Sequence, residues 1–221
     1  MQVNLFGAAA AVAMLVGSAA HADAIALFNT GVDSVGAPLA NGASELHYNL
    51  ISGPDGLTGL RVATDANGFP LPPWLADNST SAWIGPVGDG ALDGSIGAYD
   101  YRLTFSLAGL NAATATISGL WATDNDGADI LINGISTGQT TPFGGFTFHS
   151  FTIGSGFVAG TNTLDFIVNN GGGPTGLRVE LSGTAAADGI PEPASWALMI
   201  LGFGGVGAGV RARRKLAAAT A

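Results

Sequence analysis

Between residues 99 and 107 apolar and polar positions take strict turns: Tyr99, Tyr101, Leu103, Phe105 and Leu107 alternate with Asp100, Arg102, Thr104 and Ser106. Successive side chains of a strand point to opposite faces, so this stretch has one buried and one wet face. Residues 163–168 repeat the pattern through Leu164, Phe166 and Val168. Residues 177–183 do so through Leu177, Val179 and Leu181, set against Arg178, Glu180 and Ser182. Weaker signals place further strands near residues 24–28, 45–52, 81–84, 114–122, 130–133 and 146–153, about nine in all. Asn133-Gly134 is a two-residue hairpin signal, and Gly53-Pro54-Asp55-Gly56, residues 65–68 and residues 169–174 read as turns or loops. Residues 71–80, LPPWLADNST, are the least regular and read as a surface loop. No segment from 24 to 190 has a helical period. Most gaps are too short for the crossover that parallel strands need, so the pairing is antiparallel. The pattern predicts an all-β, antiparallel jelly-roll-type β-sandwich over residues 23–189.

Both ends of the chain break this rhythm. Residues 5–16 are apolar and lead to Ala20-His21-Ala22, the small-x-small pattern of a secretory signal peptide over residues 1–22, cut near Ala22 with Ala24 as the second choice. The first six residues hold no Lys or Arg, which leaves a start upstream of Met1 open. At the other end residues 194–210 form an uncharged run, and as a helix it would span roughly 25 Å. That length predicts a single C-terminal transmembrane helix, with Trp196 at one interface and Arg211, Arg213, Arg214 and Lys215 held on the cytoplasmic side. Glycines at 202, 204, 205, 207 and 209 weaken such a helix in water but permit close packing in a membrane.

Pro191-Glu192-Pro193, then Trp196-Ala197, the Gly202-Phe203-Gly204 stretch and the basic cluster occur in order over residues 190–215. Together they resemble the PEP-CTERM sorting signal of Gram-negative bacteria. The resemblance implies recognition by an exosortase, a membrane transpeptidase that removes the span near Pro-Glu-Pro and releases the domain or attaches it outside the cell. The chain departs from the pattern at Ala212, which interrupts the basic cluster, and in the tail of residues 216–221. The run Gly202–Gly207 also satisfies G-x-G-x-x-G, but no βαβ unit surrounds it, so it is no dinucleotide site.

Charge narrows the partners. The chain carries −9 overall, yet residues 23–190 hold three Arg against fifteen Asp and Glu, a net of −12. Without clustered Lys and Arg to neutralise phosphates, nucleic acid is excluded. The absence of Cys removes disulfides and thiolate metal sites. Within Asp124-Asn125-Asp126-Gly127-Ala128-Asp129, the residues Asp124, Asn125, Asp126 and Asp129 gather hard oxygens on an expected turn, which suits a structural calcium. The spacing is not that of an EF-hand, and an Asp/Asn turn bonded to its own backbone is the competing reading. Trp74, in the Pro-Pro-Trp loop, is the candidate for stacking on a sugar ring, or else a loop plug. Trp83 and Trp121 lie in apolar strand patterns and are expected in the core. Gly134–Gly138 satisfies G-x-S-x-G, but it follows a hairpin signal where a nucleophile elbow needs a strand running into a helix. Of the histidines left after signal removal, His47 and His149, the latter reads as partly exposed on a strand.

A second resemblance covers residues 80–186 through GLWATDNDGADILING, FTIGSGFVAGTNTLDFIVNN and PTGLRVELSGTA. These segments are similar to a secreted bacterial domain of the galactose-binding-like sandwich type, which implies carbohydrate binding and often a structural calcium. The expected protein is non-enzymatic. Signal peptidase and exosortase are its processing partners, and the inner membrane holds its precursor. The cell surface or an extracellular polysaccharide matrix is its destination. A secreted hydrolase with dispersed catalytic residues and a purely structural surface protein remain the alternatives.

Overall fold

The computed structural model describes residues 22–86, 93–144, 146–188 and 193–219. The signal peptide expected over residues 1–22 therefore lies outside the described residues, apart from Ala22. Among the described residues the strands are β1 (Ala22–Ala24), β2 (Tyr48–Ser52), β3 (Arg61–Ala63), β4 (Trp83–Gly85), β5 (Gly97–Ser106), β6 (Thr116–Asp124), β7 (Asp126–Ile132), β8 (Ile135–Ser136), β9 (His149–Ile153), β10 (Thr161–Asn170) and β11 (Gly176–Ala186). They form two antiparallel sheets. One runs β3-β4-β11-β6-β9 with β1 added beside β11, the other β2-β5-β10-β7-β8. The chain changes sheet at almost every connection, so neighbours in a sheet come from distant sequence.

The core between the sheets follows the alternation. Tyr99, Tyr101, Leu103 and Phe105 of β5 and Leu164, Phe166 and Val168 of β10 point inward onto Ile117 and Trp121 of β6 and Leu177 and Val179 of β11. Phe166 sits at its centre, with ring centroids 5.8 Å from both Trp121 and Phe151. Burying each such ring contributes about 2–3 kcal/mol, and edge contacts between rings add to it. The Asn133-Gly134 hairpin joins β7 to β8 as expected, with φ of 51° and 78° at its two residues. Both values lie in the left-handed region that the turn requires.

Several boundaries differ from the sequence reading. β2 begins at Tyr48 rather than at 45, because the Glu45 carboxylate accepts hydrogen bonds from the N–H groups of His47 (2.8 Å) and Gly31 (2.8 Å) and so closes a turn there. β9 begins at His149, since Phe146 and Phe148 fold onto the outside of the six-stranded sheet. The short strands β3 and β8 are too brief to show a period.

The outer surface of the six-stranded sheet departs furthest from the alternation. Alternation predicts Arg178 on a wet face, yet Arg178 is 0 % exposed. A second apolar cluster covers it, made of Ala63, Leu71, Trp74, Trp83 and Ala122 with Leu75, Phe146 and Phe148. Residues 71–80, expected as a surface loop, supply part of that cover.

Residues 193–219 form the helix α1 (Pro193–Ala219), and Leu198, Ile200, Leu201, Phe203 and Val206 are exposed along it. Among the described residues, no helix is long and apolar enough to cross a membrane. The span expected at residues 194–210 falls within α1.

Candidate functional site

Strand pairing, not turn chemistry, organises the acidic stretch 124–129. Asp124 closes β6 opposite Gly176, and Asp126 opens β7 opposite Asn169, so Asn125 alone carries the chain between the sheets. The Asp124 carboxylate is 5 % exposed and accepts hydrogen bonds from Trp74 Nε1 at 2.7 Å and Asn125 Nδ2 at 2.8 Å. Burial pushes its pKa up to about 6, against the pull of those two donors. Asn125 Oδ1 accepts from the Gly171 N–H, and Asp126 Oδ2 accepts from Asn169 Nδ2 at 2.9 Å. Asp129 accepts from the N–H groups of Ile130 (2.8 Å) and Gly138 (3.0 Å) and from the Ser136 hydroxyl. Of the four residues expected to gather calcium, Asp124 thus ends a strand of one sheet, Asp126 and Asp129 lie on a strand of the other and Asn125 joins them, each with protein donors. Among the described residues no group of three or more His, Asp or Glu could hold a metal ion.

Of the two readings of Trp74, sugar platform and loop plug, its burial matches the plug. Trp74 is 3 % exposed and packs against Trp83, with ring centroids 4.3 Å apart. The fit is tight: a Cβ placed on Gly176 would lie 2.8 Å from the Trp74 ring, so only glycine allows this approach. The indole gains burial and an acceptor together, which outweighs the preference of a proline-rich segment for solvent. Trp83 and Trp121, expected in the core, are 0 % and 1 % exposed.

Arg178 fastens the same loop. Its Nε donates to Ser81 Oγ at 2.8 Å, Nη1 to Ala76 O at 2.8 Å, and Nη2 to Ser81 O at 3.0 Å. Phe148 lies 5.4 Å from the guanidinium carbon, and Glu180 is 4.0 Å from Nη2. Glu180 itself accepts from Asn78 Nδ2 at 2.7 Å and Ser81 Oγ at 2.8 Å. Burial lowers the Arg178 pKa, and Glu180 opposes the shift.

The outer face of the five-stranded sheet is built differently. Arg102 and Asp165 are register partners and form a bidentate pair, Nε to Oδ1 at 2.6 Å and Nη2 to Oδ2 at 2.7 Å. Asp100 lies on the same face, with its Oδ1 buried and unpartnered. Burial first, and Asp165 second, raise its pKa to about 6. Two neighbouring carboxylates with one guanidinium can serve proton transfer in principle, but here the fork of Arg102 ties Asp165 to the sheet.

The serine of the G-x-S-x-G run sits in β8, just after a hairpin, and its hydroxyl donates to Asp129. His47 stacks on Phe28 with centroids 3.7 Å apart and pairs with the Asp33 carbonyl at 3.1 Å. His149 opens β9, half-buried. No nucleophile–histidine pair is assembled from these residues.

Sequence reasoning missed the exposed rings. Phe69 and Phe143 are 70 % and 77 % exposed, one in each loop that crosses the six-stranded sheet. Gly68-Phe69-Pro70 and Pro142-Phe143-Gly144 flank each ring with turn residues, a signal that could have singled them out.

The described body ends on a fixed point. The Asp188 N–H donates to Gly109 O at 2.8 Å, and from the next position residues 189–215 match the PEP-CTERM protein-sorting motif. The chain carries a PEP-CTERM sorting motif. Of its expected residues, Pro191 and Glu192 lie outside the described residues. Pro193 opens α1, which also contains Trp196, Arg213 and Arg214, and Arg211 is exposed. No curated protein matches the chain. Among solved structures it is similar to a CBM35 from Paenibacillus barcinonensis, at 16 % identity and a TM-score of 0.36, over 62 % of this chain and 94 % of that one. A family 35 carbohydrate binding module from an environmental isolate aligns at 15 % identity and a TM-score of 0.30, over 43 % and 74 %. A GH31 alpha-xylosidase from Xanthomonas citri aligns at 10 % identity and a TM-score of 0.26, over 76 % of this chain but 19 % of that one.

Proposed function

We propose that this chain is an exported surface protein, delivered through the inner membrane and processed by an exosortase. The observation that carries the proposal is the sorting motif at residues 189–215, joined directly to the last fixed residue of a folded sandwich. Signal peptidase removes residues 1–22. The apolar side chains of α1 find no cover in the body, and a lipid environment is where such a surface is stable; α1 with its basic end then holds the precursor in the membrane. One peptide bond near Pro191-Glu192-Pro193 breaks. Its acyl side passes to water or to an acceptor amine, and its amine side leaves with α1.

The finished sandwich is a non-enzymatic module of the cell surface or extracellular matrix. We read its alternation between sheets as that of a jelly roll. Carbohydrate is the ligand class, supported by Phe69 and Phe143, exposed rings on two loops over the same sheet and able to stack on sugars. Mass spectrometry of the secreted protein's C-terminus, compared between the wild type and a strain lacking the sorting enzyme, tests the processing. An intact residue 221 on the exported protein in both strains would overturn it. Binding is tested on an immobilised glycan array, where a Phe69→Ala/Phe143→Ala variant should lose the signals that wild type gives.

A further inference from the structure

The two ends of the sandwich are joined to each other. β1 pairs with the final residues of β11, Ala22 opposite Ala186, Asp23 opposite Ala185 and Ala24 opposite Thr184. The turn at residues 109–114 closes on the other side. Ala186 O accepts from the Asn111 N–H at 2.8 Å, and Ala186 N–H donates to Thr114 Oγ1 at 2.8 Å. Leu110 bridges to Ala187, and Asp188 N–H reaches Gly109 O at 2.8 Å. Residues 184–188 are therefore held up to the position before the motif begins.

In the sequence only Gly189 and Ile190 separate Asp188 from Pro191, a reach of at most about 10 Å of extended chain. An enzyme that cuts a peptide bond takes several residues of extended, unpaired backbone into its cleft, and hydrogen-bonded strand ends are protected until they open locally. Resting on the sorting reading above, we infer that the β1–β11 clasp gates the second cut. The sorting enzyme acts on chains whose residues 184–188 have come away from β1 and from the 109–114 turn. The site of the first cut then sets the strength of the gate. Cleavage after Ala22 leaves Asp23 and Ala24 in the clasp. Cleavage after Ala24 removes β1 entirely and makes Ile25, whose N–H donates to Gly183 O at 2.9 Å, the new terminus.

The test is a pulse-chase of precursor shortening in cells that contain the sorting enzyme, using the full-length chain. An insertion of about six Gly/Ser residues between Asp188 and Gly189, spanning roughly 13 Å, frees the motif and leaves the clasp intact. It should shorten the processing half-time at least about threefold, with an unchanged melting temperature of the body. Thr114→Val keeps the side chain's shape, removes the bond to the Ala186 N–H, and should give a smaller acceleration. The same insertion placed after Gly56, an exposed turn elsewhere, serves as control. Processing of the Asp188 insertion no faster than wild type, or equal acceleration by the Gly56 control, overturns the gate. A wild-type precursor that is never shortened overturns the sorting reading itself.

Discussion

The two faces of the six-stranded sheet are equally buried near Trp83 but arrived there by different routes. The inner face, carrying Ile84, Trp121, Leu177 and Val179, packs on the opposite sheet as its alternation demands. The outer face, carrying Trp83, Ala122, Arg178 and Asp124, is covered because the 71–81 loop returns over it and is tied down by polar bonds from Arg178 and to Asp124. The first surface is a transfer problem, removing apolar area from water. The second adds a charge to be satisfied, so it holds firmly only while every donor and acceptor is matched.

The sharpest break is expected from Phe166→Ala, which opens a cavity at the meeting of Trp121 and Phe151 and should cost about 3–5 kcal/mol in urea unfolding. Next comes Arg178→Ala, which strands Ser81 O, Ala76 O and Glu180. A loss of about 2–4 kcal/mol is expected, with hydrogen exchange rising first in residues 71–81. Arg178→Lys should recover little, because an ammonium cannot reproduce the fork. If exchange instead rose uniformly through both sheets, the two faces would form one cooperative unit and the contrast would fail.

Acidity should separate the regions more gently. Burial pushes the pKa values of Asp124 and Asp100 up to about 6, above the ordinary carboxylate value of 3.8, so the folded state binds more protons between those limits. Their contribution is fully present below about pH 4 and is lost as pH rises through about 6. Each of the two groups should therefore add up to about 2 kcal/mol of stability on going from pH 7 to pH 4.5. Thermal melts of Asp124→Asn and Asp100→Asn should show a flatter dependence. The smallest effect on folding belongs to Phe69→Ala with Phe143→Ala, within about 0.5 kcal/mol of wild type. A larger loss would place those rings in the second core and remove them as sugar contacts.

Much of the architecture was legible. Residues 99–107, 163–168 and 177–183 announce β5, β10 and β11 because a strand with one dry face must alternate, and Asn133-Gly134 announces a hairpin because its turn needs left-handed backbone. The candidate site was less so. The stretch 124–129 reads as a turn by local composition, but the partners of Asp124 and Asp126 lie about 50 and 43 residues away, and ladder pairing with them overrode the local preference. Trp74 and Arg178 look solvent-directed for the same reason. Nothing within a few residues of either reveals its partners, Asp124 for Trp74 and Ala76 with Ser81 for Arg178.

The sequence alone determined the sorting motif, the two-sheet character of the body and the residues of its inner core, since each is written in local order or in a period of two. Tertiary structure alone decided that Arg178 is buried and Trp74 hidden, that the acidic stretch is drawn into strands, and that Ala22 meets Ala186 beside the motif. Those outcomes depend on which distant segments come into contact. No short window of sequence encodes such contacts, because their free energy exists only once the chain has closed.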